Sequence, residues 1–147
     1  MPQQFYFPLQ QILDLRQMQE DKASMQLAKA KMRLEEKSSH LRQLRQELES
    51  AEQRQAEQKR TSAWELWLWL KYKDRMQQDV QLAQAKVQEQ MQKVQECRDE
   101  LASRSQELKK MERLKDKQAL EHKQWQEHKE QKELDEVAAL LYQKRNI

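Results

Sequence analysis

Apolar residues recur at alternating steps of three and four along most of the chain. With heptad position a placed on Leu13, the a positions are Leu13, Glu20, Leu27, Leu34, Leu41 and Leu48. The d positions are Leu9, Arg16, Ala23, Ala30, Lys37, Leu44 and Ala51. Such alternation keeps one apolar stripe turned towards a partner helix. Leu at a with mostly small residues at d favours close approach. Arg16, Glu20 and Lys37 interrupt the stripe; they either fix the register or lie where the partner is absent. A second seam runs through Leu66, Lys73, Val80, Val87, Val94, Leu101 and Leu108, with Trp69, Met76, Ala83, Gln90, Cys97, Arg104 and Met111 in the alternate register.

Between the seams lies Glu57-Gln-Lys-Arg-Thr-Ser-Ala63. Ser62 followed by Glu65 has the spacing of a capping box, in which each residue satisfies an amide of the other. No other interior site carries a stop–start signal of this quality. The pattern predicts an all-α, single-domain chain over 1–147: helix 1 over about 9–56, a joint over about 57–62, and helix 2 over about 63–143. A short joint between long seams makes an antiparallel coiled-coil hairpin the simplest arrangement. Folding about residues 60–61 sets Leu48 near Lys73, Leu41 near Val80, Leu34 near Val87, Leu27 near Val94 and Leu13 near Leu108. Helix 1 then runs out near residue 112. The rest of helix 2, about 30 residues, would overhang by roughly 45 Å. The alternative is a pair of straight chains in an intermolecular coiled coil, against which the capping box and the break in the seam both argue.

Composition supports a helical reading. There is no Gly, and the only prolines are Pro2 and Pro8. The polar majority is Glu, Gln, Lys and Arg, all good helix formers. The charges, 28 basic against 25 acidic, are interleaved along the chain. The longest basic runs are pairs such as Lys59-Arg60 and Lys109-Lys110, which is not the stripe of a nucleic-acid reader. The single Cys97 rules out an internal disulfide or a multi-cysteine zinc site and suits a reducing compartment. No basic segment leads into an apolar stretch at the N-terminus, so no signal peptide is expected. The longest apolar-rich run, 63–70, is too short to span a bilayer.

Catalytic chemistry finds little footing. Without glycine, neither a phosphate-cradling loop nor a nucleophile elbow can be built. His122 and His128 are six apart and do not share a helix face, so they and His40 read as solvated surface. Cys97 falls on the seam, as a small buried thiol would. No metal, cofactor or catalytic residue is expected.

The sharpest local anomaly is aromatic: Trp64, Trp67, Trp69 and Tyr72 crowd the start of helix 2. At 100° per residue, Trp67 and Trp69 lie about 160° apart, on nearly opposite faces. One seam cannot cover both. Either these rings, with Ser62 and Glu65, pack to cap the hairpin tip, or they form a docking surface. Insertion into a membrane interface is the third reading.

Three passages resemble the FliJ family of flagellar protein-export components, which are related to the stalk proteins of type III secretion. The first is Phe7-Pro-Leu-Gln-Gln-Ile-Leu-Asp-Leu-Arg16, continuing through Glu20-Asp-Lys-Ala23 and Leu34-Glu-Glu36. The second is the aromatic start of helix 2, Trp64 to Val80. The third is Glu130-Gln-Lys-Glu-Leu-Asp-Glu-Val-Ala138.

The resemblance implies a non-enzymatic stalk that couples a hexameric export ATPase ring to the cytoplasmic domain of a membrane export gate. Such a component is needed for flagellum assembly and motility. The resemblance further implies links to the ATPase's regulator and to export chaperones, and a location at the cytoplasmic face of the bacterial inner membrane. By position, the gate-binding face would comprise Tyr72, Met76, Asp79 and Ala83, with Trp69 beside them. Tyr72 and Met76 keep an aromatic and a large apolar residue, whereas Asp79 and Ala83 depart from the family's pattern. The ATPase-binding end would comprise Leu9, Leu13, Leu134, Asp135, Glu136 and Val137. Two rivals are an export chaperone that clamps unfolded substrates and a purely structural dimer.

Overall fold

The computed structural model describes residues 3–58 and 62–145. It contains two helices, α1 (Gln10–Glu57) and the longer α2 (Ala63–Arg145), and they pack as an antiparallel coiled-coil hairpin. No strand occurs among the described residues. The expected fold about residues 60–61 and the Lys59-Arg60 pair lie outside the described residues.

The helix ends follow from local chemistry. Pro8, which has no amide hydrogen and a fixed φ, sits in the turn that leads into α1. There the Gln10 amide donates to the Phe7 carbonyl at 3.1 Å, and the Leu13 amide donates to Leu9 at 3.0 Å. α1 ends with the Gln58 amide donating to the Gln55 carbonyl at 3.2 Å, a tightened last turn. α2 opens on a capped turn. The Ser62 hydroxyl accepts the Glu65 amide at 3.1 Å, and the Ser62 carbonyl accepts the Leu66 amide at 2.9 Å. This is the serine half of the expected capping box.

By internal packing the chain divides into two compact units, one of Asp21–Ala102 and one of Met1–Glu20 with Ser103–Ile147. In the first, Ala23, Ala30, Leu41 and Ala51 of α1 are buried, as are Met76, Ala83, Gln90 and Val94 of α2. All lie at expected a and d positions. The small alanines let the helices come close, so the seam is thin. One expected seam residue is missing from it. Leu66, in the first turn of α2, is 47% exposed.

The polar interruptions serve the register. Gln90, only 2% exposed, donates from Nε2 to the Ala30 carbonyl at 3.1 Å, and its Oε1 accepts from Lys37 Nζ at 3.2 Å. Lys73 and Glu52 form a cross-helix ion pair at 3.7 Å, one turn further along α1 than the expected Leu48 level.

In the other unit, Phe7, Leu13 and Leu108 form the buried cluster, ringed by Phe5, Leu9, Met111 and Leu114. Leu13 and Leu108 therefore meet as expected. Arg16 pairs with Glu107 across the seam at 3.1 Å, and Gln19 accepts from Arg104 at 3.3 Å. Cover on α2 extends beyond residue 112, which corrects the expected start of the overhang. The non-helical segment before α1 runs on along α2, and the Gln3 carbonyl accepts from His122 Nε2 at 3.1 Å and from Gln126 Nε2 at 2.7 Å. Phe5 lies 5.7 Å from the His122 ring, and His122 lies 5.9 Å from Trp125. His122 is thus half-buried and engaged, not the solvated residue expected. From residue 127 to residue 145 every residue of α2 is exposed.

Candidate protein-interaction surfaces

Two stretches of α2 carry large apolar side chains that the seam leaves uncovered, one at each end of the helix. The first belongs to the unit of Asp21–Ala102. Trp64, Leu66, Trp67, Leu68, Leu70 and Tyr72 are all between 45% and 65% exposed. The rings divide into two pairs by the helical spacing of three. Trp64 and Trp67 stack at 5.2 Å with planes 15° apart, while Trp69 and Tyr72 lie tilted at 6.0 Å. The Lys71 ammonium sits 5.7 Å above the Trp67 ring, one turn away. Trp69 is half-buried, and with Tyr72 and Leu68 it lines a shallow groove closed on the other side by Ala51, Arg54 and Gln55 of α1 and by Gln58 just after it. The Trp69–Tyr72 pair therefore leans on the end of α1, whereas Trp64 and Trp67 are 65% and 49% exposed.

The residues expected to face an export gate do not share one environment. Tyr72 is 48% exposed and Asp79 is half-buried. Met76 and Ala83 are 8% and 6% exposed, as seam residues. Their side chains pack inwards, because both occupy the inward-facing heptad register named above, and Ala83 shows only at the floor of the groove beside Asp79. A shallow groove beside Asp79 is lined by His40, Leu44, Leu82 and Lys86. Leu82, 62% exposed, was not singled out by sequence reasoning; its isolated place on a polar face is a signal that periodicity does not weight.

The second stretch lies in the other unit. Of the residues expected at an ATPase ring, Leu13 is buried in the Phe7–Leu108 cluster and Leu9 is partly buried against it. Leu134, Asp135, Glu136 and Val137 are exposed on the uncovered end of α2. There the Asp135 carboxylate accepts from Gln131 Nε2 at 3.1 Å. Leu134, Val137 and Leu141 are 53–63% exposed at helical spacing, an apolar stripe with nothing against it. Leu140 and Tyr142, equally exposed, widen it beyond the expected set. Acidic residues precede the stripe, and Lys144 and Arg145 close the helix, as its dipole favours.

Among the described residues, no three His, Cys, Asp or Glu side chains converge as metal ligands would. Cys97 is a free, half-buried thiol on the seam. Among the described residues, no helix is long and apolar enough to cross a membrane. No curated protein and no solved structure matches the chain. The sequence model of one family, described as Flagellar FliJ protein, matches residues 5–146. That match takes in the docked N-terminal segment, both helices and the uncovered end of α2, and the chain belongs to the FliJ family, whose members are components of the flagellar export apparatus.

Proposed function

We propose that the chain is a non-enzymatic coupling factor of the export apparatus, bridging an export ATPase ring and the cytoplasmic domain of the membrane export gate at the cytoplasmic face of the inner membrane. The observation that carries this reading is the pair of uncovered apolar surfaces at opposite ends of α2, in a member of an export family. A connector needs two sites of different chemistry that leave its own folding seam intact. The stretch around Tyr72 is aromatic with basic neighbours, and the stretch around Leu134 is aliphatic with acidic neighbours. Tyr72 and Asp79 are the side chains available for the gate. Leu134, Asp135, Glu136 and Val137 are those available for the ATPase. Leu9 and Leu13 belong to the Phe7–Leu108 cluster and are not available to a partner as the exposed stripe is. The ATPase's regulator and export chaperones are further partners implied by the family.

The test is capture of the pure chain by the gate's cytoplasmic domain. Tyr72→Ala removes exposed ring area while leaving the buried seam residues in place, and should weaken capture by roughly tenfold or more, as truncation of an aromatic anchor does, with circular dichroism unchanged. Unchanged affinity would remove Tyr72 from the contact. Met76→Ala is unsuited to this purpose, because it opens a cavity in the seam and confounds binding with folding. A chaperone that clamps unfolded substrates at the aromatic surface is the second reading, favoured by the exposed Trp64–Trp67 pair. It predicts binding to many export substrates without any ATPase.

A further inference from the structure

Position f of the heptad lies opposite the seam, where an apolar side chain gains nothing from the partner helix. Most f positions of α1 hold Gln or Ser (Gln11, Ser39, Gln46 and Gln53), as a solvated face should. The consecutive f positions between them hold Met18, Met25 and Met32, all 60–67% exposed. In the unit of Asp21–Ala102, Met25 and Met32 form an exposed stripe with Ala28 between them. These three side chains fall within about 60° of one another around the helix, on the far side from the seam residues Ala23, Leu27, Ala30 and Leu34. A lone exposed apolar residue is ordinary. Large apolar residues at seven-residue intervals on an otherwise polar face repeat the pattern by which one helix receives another.

One edge of the stripe is basic. With Met25 set at 0°, Lys29, Lys22 and Arg33 fall at about 40, 60 and 80°. All three are exposed, and among the described residues none of them is in an ion pair. Asp21 and Glu36 bracket this edge in sequence, and Glu35 is held by Arg42 at 2.9 Å. Over residues 21–33, Lys22, Lys29, Lys31 and Arg33 stand against Asp21 alone, so this short segment carries +3, as much as the whole chain.

We propose that this face of α1 docks an acidic amphipathic helix of a partner protein. The partner's apolar stripe packs on Met25, Ala28 and Met32, and carboxylates along one side of that stripe meet Lys22, Lys29 and Arg33. Methionine suits the task, because its unbranched, polarisable side chain adapts to the surface it meets. The small Ala28 leaves room between the two methionines for a side chain of the partner. Other polyanions fit less well. The stripe is narrow and holds no aromatic ring, unlike the broad apolar side that an interfacial helix buries in a bilayer. A surface that reads phosphates has no use for an apolar stripe. The contact is small, so binding is weak, and its charged edge makes it sensitive to salt. The face lies on α1 and does not depend on the gate and ATPase contacts proposed on α2.

The test uses the purified full chain and two synthetic peptides of three heptads each. Both carry Leu at a and d, with Glu at e and g in one, Lys at e and g in the other, and Ala elsewhere. Like charges at e and g keep each peptide from pairing with itself. By fluorescence anisotropy at low salt, the Glu peptide should bind roughly tenfold or more tightly than the Lys peptide, and added salt should narrow the difference. Met25→Gln/Met32→Gln should weaken binding of the Glu peptide by roughly tenfold or more. Lys29→Glu/Arg33→Glu should remove the preference between the peptides. All four side chains are exposed and outside the seam, so circular dichroism and melting should be unchanged. Bound Glu peptide should also slow the oxidation of Met25 and Met32 to sulfoxides by hydrogen peroxide, while Met91 of α2 reacts as before. Equal binding of the two peptides, a methionine variant that binds like the native chain, or no protection of Met25 and Met32 would overturn the proposal. So would flotation with phosphatidylglycerol vesicles that the methionine variant loses while both peptides bind alike, which would make the face a lipid contact.

Discussion

Gln90 shows how a single side chain decides a seam that apolar contacts alone leave ambiguous. Leu and Val layers repeat every seven residues, so a slip by one heptad restores much of the packing. A slip by one heptad would still offer Gln90 a backbone carbonyl, but it would replace Lys37 with Ala30 or Leu44 and leave the buried Oε1 without its donor. Replacing it with Leu should therefore raise the melting temperature, by the equivalent of about 1 kcal/mol, while allowing alternative registers or dimers. Thermal melting with analytical ultracentrifugation checks both halves. A variant that is less stable and still a single species would refute this role. Arg16 acts in a similar sense with less force, since its ion pair with Glu107 is more than a third exposed and such pairs contribute little stability. Ser62 is simpler: Ser62→Ala removes the oxygen that accepts the Glu65 amide and should cost about 1 kcal/mol, read as fraying of the first turn of α2.

At the scale of elements, the segment before α1 is the least expected feature. It carries no heptad and no period of its own, yet Phe7 is 4% exposed and Gln3 bonds to two residues of α2. Extended cover of this kind depends on which surface a helix happens to leave open, and no local pattern announces it. The helices themselves were legible, because inward-facing positions must be apolar or small and the seam supplies only one inward face. The uneven environment of the site residues was not. Met76 and Ala83 share the inward register with Trp69, and resemblance to a family aligns positions without telling buried from exposed. Truncating Phe7 to Ala should destabilise this part of the hairpin by roughly 2–4 kcal/mol. Hydrogen exchange should then rise in residues 108–126 of α2 and in the first turns of α1, with little change between Val80 and Val94. Uniform acceleration along both helices would mean that the segment supports the whole hairpin rather than its own unit.

For the whole molecule, the hairpin closes the seam between α1 and α2 within one chain. At 18.0 kDa it should sediment as a monomer. With Cys97→Ser as background, cysteines in place of Arg16 and Glu107, whose charged groups meet at 3.1 Å, should cross-link within one chain through a short bifunctional reagent. Cross-linked dimers as the main product would refute the hairpin. Both surfaces proposed for bridging lie on α2, outside the contacts that close α1 onto it, so substitution at one should leave the other competent. The most direct measurement is a bridging assay: the gate's cytoplasmic domain is immobilised, and retention of the export ATPase is followed with and without the chain. The ATPase should be retained only when the chain is present. Tyr72→Ala should lose both proteins from the support, and Leu134→Ala/Val137→Ala should leave the chain bound and lose only the ATPase. Equal retention of the ATPase without the chain, or retention indifferent to both variants, would contradict the account.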